Sequence, residues 1–304
     1  MASNAGQMQA AVVADGKLVL GSKPVPEPAA GQVRIKVRAA AFNPVDRRYR
    51  EREGEVPGFD TSGVVDAVGP GVSTWKRGDE VIAKAPGGSY AQYVVAAIDE
   101  VAKKPKAMSF EAAAGIPVVG ETAYRALIEV ANLQSKQRIL IHGASGGVGS
   151  AAVQIAKSRG AHVIASASAR NHEYLRSIGA DEVIDYNTVR FEERVKDADV
   201  VLNTVDQDTG VRSLQVLKPD GILVSIVGGT PADLCRAKSV RCTGLDRSKG
   251  AKDSELLTKV SELVDAGKYQ VNIDRTFALA DAQQAWDLGM QKHTRGKLVI
   301  VIPQ

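Results

Sequence analysis

The chain has 304 residues, 44% of them hydrophobic and 24% charged, with a formal net charge of +4. The length exceeds one small core and suits about two domains at roughly 100–200 residues each, with the composition of a globular protein. No apolar run approaches ~18 residues, which excludes a membrane-spanning helix. The basic residues are scattered, and "DRRYRER" at Asp46–Arg52 is mixed in sign, so no nucleic-acid surface is expected.

The first third reads as β. "QVRIKVRAAAF" (Gln32–Phe42) alternates Val33, Ile35 and Val37 with Arg34, Lys36 and Arg38, the period of a half-buried strand. "SGVVDAVGPGV", "GDEVIAKA" and "GSYAQYVVAA" follow as short β-rich runs broken by glycine and proline, a pattern of a small barrel or sandwich. From "RILIHG" (Arg138–Gly143) onward, apolar strand-like runs alternate with helical stretches through "AHVIASAS", "EVIDY", "ADVVLNTV" and "GILVSIVGG" to "SVRCTGL" at Ser239–Leu245. That alternation predicts a parallel sheet with helices on both faces. Leu256, Leu257, Val260, Leu263 and Val264 share one face of a helix, with Asp253 placed to cap its start and Gly267 its end. "RTFALA", the helix "DAQQAWDLGMQ" and "GKLVIVI" close the chain. The layout expected is α/β: a β-rich domain over 1–120, an inserted α/β domain over 121–266, and a return to the first domain over 267–304.

The glycines of "HGASGGVGSAAVQ" carry the strongest chemical signal. Gly143, Gly146 and Gly149 follow a strand and open a helix, the context of a dinucleotide-binding loop. Residues without Cβ let backbone N–H groups approach a pyrophosphate, and the helix N-terminus adds positive potential. The cofactor loop is therefore Gly143, Ala144, Ser145, Gly146, Gly147, Val148 and Gly149. The next strand ends in "ASASARN", with Ser166, Ser168 and Arg170 where an NAD site places Asp or Glu on the ribose 2′-hydroxyl. Hydroxyls and a guanidinium bind a 2′-phosphate that a carboxylate would repel, so NADPH is the coenzyme expected. Arg170 has an alternative as a residue flanking the next helix, and Tyr186 either flanks the same pocket or packs.

Metal and covalent chemistry find no support in the motifs. His142, His162, His172 and His293 form no H-x-x-x-H pattern, and Cys235 and Cys242 lack spaced partners, whereas a catalytic zinc needs about three protein ligands. The N-terminus has no basic segment followed by an apolar one, so no secretory signal is expected. A cytoplasmic protein with two reduced cysteines is the corresponding expectation. Chemistry is left to the cofactor, with protein groups supplying position and electrostatics.

Several stretches in the same order resemble one family. "FNPVDRR", "GFDTSGVVDAVGPGVSTWKRGDEVIA", "GIPVVGETAYRAL", "ILIHGASGGVGSAAVQIAKSRGAHVIASAS", "IGADEVIDY" and "RGKLVIVI" are similar to the zinc-independent quinone oxidoreductase branch of the medium-chain dehydrogenase/reductase superfamily. The resemblance implies a GroES-like catalytic domain, an inserted Rossmann domain and a cofactor cleft between them. It also implies NADPH-dependent reduction of quinones or other α,β-unsaturated carbonyls. Zinc-dependent relatives carry a cysteine near Asn43–Asp46 and a four-cysteine lobe, and this sequence has neither.

By the same resemblance, Asn43 lies beside the nicotinamide ribose and substrate, Asp46 braces that loop, and Thr122 of "ETAY" lies near the nicotinamide. Val227 and Gly228 meet its carboxamide end, and Lys297 lies near the cleft. Asn43 has the alternative of bonding its own turn before Pro44, Thr122 that of capping a helix, and Lys297 that of a surface charge. Tyr49 falls one place later than the family's tyrosine, so its part as substrate contact or proton donor is open, and Asp60 in "GFDTSG" stands where relatives carry Glu, which favours a structural role. The alternative function is a non-catalytic NADPH-binding redox sensor or scaffold. The partners expected are a small-molecule quinone or enone and, through an apolar edge strand at Ser239–Leu245, a second copy of the chain, with no nucleic acid and no membrane.

Overall fold

The computed structural model describes residues 6–248, 250–291 and 294–304. His293 and the first five residues of the N-terminal stretch read for a secretory signal lie outside them. The chain divides into two compact units: Met1–Glu121 with Ala251–Gln304, and Thr122–Gly250.

The first unit opens with a hairpin of β1 (Gln7–Ala14) and β2 (Lys17–Pro24). Then come β3 (Gln32–Ala41), β4 (Asp60–Val68), β5 (Glu80–Lys84), β6 (Tyr93–Ala97) and β7 (Val101–Lys103), followed by helix α1 (Phe110–Ala114) and by α2 (Pro117–Tyr124), within which the first unit gives way to the second. Alternation works as expected in β3, where Val33, Ile35 and Val37 are buried in the unit's core.

The second unit carries β8 (Arg138–His142), α3 (Gly147–Ser158), β9 (His162–Ala167), α4 (His172–Ser177), β10 (Glu182–Asp185), α5 (Phe191–Arg194) and β11 (Ala198–Asn203). It continues through α6 (Gln207–Ser213), β12 (Leu217–Ser225), α7 (Ala232–Ala237) and β13 (Arg241–Thr243). Its six strands are all parallel, in the order β10-β9-β8-β11-β12-β13. Ile139, Leu140 and Ile141 on β8 are fully buried, as a sheet covered on both faces requires. The strand order reverses between β8 and β11, and in open α/β sheets the crevice beyond the strand C-termini at that switch point is where ligands bind.

The chain then returns to the first unit with α8 (Asp253–Asp265), β14 (Ile273–Ala278), α9 (Ala282–Met290) and β15 (Lys297–Val301). The larger sheet there runs β14-β15-β3-β4-β5-β7, with β6 paired to β3.

Two expectations are corrected. The inserted domain ends at Gly250 and not at 266, because α8 belongs to the first unit. The helix buries Leu256, Leu257, Val260 and Val264, its Ser261 hydroxyl donates to the Lys103 carbonyl, and Asp253, expected as its cap, pairs with Lys84 on β5. The cysteines are not free thiols: Cys235 on α7 and Cys242 on β13 form a disulfide, brought together because α7 leads directly into its neighbouring edge strand. Among the described residues no helix is long and apolar enough to cross a membrane.

Candidate active site

The glycine loop leaves β8 and enters α3 at the switch point. Gly143 has φ +65°, and a Cβ there would meet Thr204 Oγ1 at 2.4 Å. Gly149 sits in the first turn of α3, and a Cβ on it would meet the Gly143 carbonyl oxygen at 2.2 Å. Only hydrogen fits at either position, so the helix start folds tightly against the strand end. Ala144 is buried and donates its N–H to the Ser166 carbonyl at 3.1 Å, while Ser145, Gly146, Gly147 and Val148 stay half-exposed. Gly146 supplies no side-chain cap to α3, so its first-turn N–H groups are not taken up by a side chain of the N-cap residue.

The rim beyond β9 is built around a residue the sequence reading missed. Asn171, 5% exposed, donates from Nδ2 to Ser145 Oγ at 3.1 Å and to Ser168 Oγ at 3.2 Å, tying the loop to the rim. Ser168 is half-exposed and Arg170 exposed, whereas Ser166 is buried within β9, which removes its hydroxyl from the rim. Tyr186, just past β10, is 54% exposed and so is not a packing residue. Val227 after β12 and Val205 after β11 are exposed too. Gly228 has φ +140° and open space where a Cβ would stand. Thr122 is 4% exposed and lies inside α2, so it does not cap that helix, and its hydroxyl accepts from Arg247 Nη2 at 2.9 Å.

In the first unit the structure gathers Asn43, Asp46, Asp60 and Lys297 with Tyr90 into one buried polar cluster. Lys297 is not a surface charge. It is 4% exposed, and its ammonium donates to the Phe42 carbonyl at 2.8 Å, to Asn43 Oδ1 at 2.6 Å and to Asp60 Oδ2 at 3.0 Å. Asn43 Nδ2 donates to Asp60 Oδ2 at 2.8 Å and to the Ala41 carbonyl at 3.3 Å. Both ends of that amide are thus engaged inside the protein, which makes Asn43 a fixed element rather than a free hydrogen-bond probe. Asp60 Oδ1 accepts from the Val118 N–H at 2.7 Å, the structural role expected of it.

Asp46 is fully buried in the turn Pro44–Tyr49, and its carboxyl is pushed up to about 7. Burial is the main cause and Asp60 adds to it, while the Asn43 N–H, the Tyr90 hydroxyl and Lys297 pull the other way. Tyr49 is 8% exposed, edge-on to Phe59 at 6.0 Å, with the Arg52 guanidinium 4.9 Å from its ring. Burial raises its phenol above the ordinary range.

Comparison with known proteins agrees with this architecture. Residues 29–106 match the family described as alcohol dehydrogenase GroES-like domain, and residues 178–300 the one described as zinc-binding dehydrogenase. The chain is 32% identical to "NAD(P)H oxidoreductase RTN4IP1, mitochondrial" of Danio rerio, over 89% of this chain and 84% of that protein. It is 37% identical to "2-methylene-furan-3-one reductase" of Solanum lycopersicum, over 82% of this chain and 66% of that protein. The solved quinone oxidoreductase from Coxiella burnetii superposes with a TM-score of 0.89 at 33% identity, covering 98% of this chain and 100% of that one. The chain belongs to the quinone oxidoreductase branch of the medium-chain dehydrogenase/reductase superfamily.

For a medium-chain dehydrogenase/reductase, the two groups to test are zinc and a dinucleotide. Among the described residues no group of three or more His, Cys, Asp or Glu side chains is placed to hold a metal, and both cysteines are consumed by the disulfide, so the donor set of a catalytic zinc is not assembled there. The dinucleotide does fit the backbone cradle at Gly143–Gly149, where a Cβ on Gly149 would strike the Gly143 carbonyl and the loop opens a helix at the C-terminal end of β8.

Proposed function

We propose that this quinone oxidoreductase family member is an NADPH-dependent, zinc-independent reductase that delivers hydride to quinones or α,β-unsaturated carbonyls. The observation that carries the reading is the rim after β9, where Ser168 and Arg170 stand in place of an acid beside the Gly143–Gly149 loop. Loop N–H groups and the α3 N-terminus bind the pyrophosphate, Ser168 and Arg170 the 2′-phosphate, and Tyr186, Val205 and Val227 line the ring systems. When bound, the reduced nicotinamide supplies the hydride.

The protein's own part is orientation. The Asn43–Tyr49 turn is assigned to the acceptor and Thr122 to the nicotinamide, and water or a nearby hydroxyl gives the proton. Positioning of this kind contributes roughly 7–11 kcal/mol of a barrier, enough for a reaction whose electrons come from the coenzyme. The names of the Danio, Solanum and Coxiella relatives support this chemistry.

The test is NADPH oxidation across a panel of quinones and enones, with NADPH and NADH binding compared by calorimetry. Turnover of at least one acceptor with tighter NADPH binding fits the reading. Tight NADPH binding with no turnover favours the non-catalytic sensor or scaffold instead. We further propose a homodimer paired along β13, the sheet edge. Val240 is 8% exposed and part of the unit's core, so a charge there would unfold rather than report. Thr243→Lys on the exposed edge should raise the monomer fraction in light scattering, and an unchanged dimer counts against pairing at that strand.

A further inference from the structure

Tyr90 lies outside every motif that points to chemistry, yet it ends on the turn that carries Asn43. Its side chain is fully buried, and Gly58, at φ +105°, passes so close that a Cβ would meet the ring at 2.6 Å. The Tyr90 hydroxyl donates to Asp46 Oδ2 at 2.7 Å, and the same oxygen accepts the Asn43 backbone N–H at 2.8 Å. One carboxylate oxygen therefore links a ring wedged in the core to the residue that opens the turn. Asp46 Oδ1 is buried with no hydrogen-bond partner among the described residues.

We infer that Tyr90 is a positioning residue: its hydroxyl holds Asp46 in the anionic, acceptor form that fixes the backbone of Asn43. Two N–H or O–H donors on one carboxylate oxygen favour the charged form, whereas burial favours the neutral one. The groups that face Asp46 are the Tyr90 hydroxyl, the Asn43 N–H, Asp60 on β4, Lys297 on β15 and Tyr49 on its own turn. With Oδ2 doubly engaged, a proton taken up by Asp46 goes to Oδ1, and the acid accepts more weakly from Asn43 than the anion does. Since burial and its neighbours leave Asp46 at about 7, loss of one donor changes its ionisation at neutral pH.

The kinetic consequence rests on the reductase reading, and the titration does not. The experiment follows the Asp46 carboxyl by carbon NMR in the full-length chain, the resonance being identified through its loss in Asp46→Asn. It is paired with the pH profile of kcat/KM for NADPH oxidation by the best acceptor. In Tyr90→Phe the Asp46 midpoint should rise by about one pH unit, and the acid limb of kcat/KM should move with it. A folded Tyr90→Phe whose Asp46 midpoint stays put overturns the inference, as does a shifted midpoint with an unmoved acid limb. Should Tyr90→Phe fail to fold, Asp46→Asn decides: loss of the acid limb supports the inference, and its persistence overturns it. A wild-type chain without turnover contradicts the reductase reading, and the Asp46 midpoint then decides the inference by itself.

Discussion

Lys297 and Asp60 form an ion pair at 3.0 Å with side chains 4% and 0% exposed. It joins the last strand of the chain to β4 and holds the Asn43 amide between them. Two charges out of water are stable only when each finds further hydrogen bonds, and the Phe42 carbonyl, the Asn43 amide and the Val118 N–H supply them.

Lys297→Met strands Asp60 without its counter-charge. Urea denaturation should show a loss of about 3–5 kcal/mol, partly restored by adding Asp60→Asn. A loss below about 1 kcal/mol would mean that the pair does not secure the turn.

Gly149→Ala drives a Cβ into the Gly143 carbonyl. Backbone lies on both sides of that contact and has no rotamer by which to retreat. The Kd for NADPH should rise by more than about tenfold, about 1.4 kcal/mol, measured by quenching of coenzyme fluorescence; unchanged affinity would contradict a pyrophosphate on this loop.

Arg170→Ala removes the cation from the rim. A hydrogen bond to a charged group is worth about 1.5–3 kcal/mol, so NADPH affinity should fall roughly ten- to hundredfold with NADH affinity unchanged. Equal losses for both coenzymes would place Arg170 away from the 2′-phosphate.

His142 ends β8, buried with its Nε2 3.0 Å from the Ser213 hydroxyl. Burial, aided by Arg212, lowers its imidazole to about 4. The unfolded chain, with a histidine near 6.5, binds the proton that the folded one refuses. Its contribution is therefore complete above about 6.5 and is lost as pH falls toward about 4. Comparing wild type with His142→Gln by denaturation at about pH 7.5 and about pH 5, the cost of the substitution should be smaller at the lower pH by about 2 kcal/mol. A cost independent of pH would show that the ring is not held neutral.

The Cys235–Cys242 bridge closes a short loop, its cysteines seven residues apart in sequence. Cys242→Ser should destabilise the second unit by about 2–3 kcal/mol in denaturation without reductant, and excess dithiothreitol should bring wild type to the variant's stability. No difference between the two forms would mean that the bridge constrains nothing.

The sequence made the strands and the glycine turn between β8 and α3 legible because both are local signals. Alternation in Gln32–Ala41 and the glycine spacing at Gly143–Gly149 each fit within a dozen residues. Tyr90 with Asp46, Lys297 with Asn43, and Asn171 with Ser145 were not legible, since each pair meets only through folding across many intervening residues. The boundary at Gly250 escaped for the same reason: a helical pattern states which face is apolar, not which sheet receives it. The disulfide was missed because compartment, rather than the nearness of α7 to β13, decided the expectation.

The most direct measurement is rapid mixing of the pure protein with NADPH and each of a set of quinones and enones, following the absorbance of the reduced nicotinamide. Enzyme-dependent loss of that absorbance is expected with at least one acceptor, faster with NADPH than with NADH. No acceptor-dependent loss with either coenzyme, from protein that binds NADPH, would contradict it.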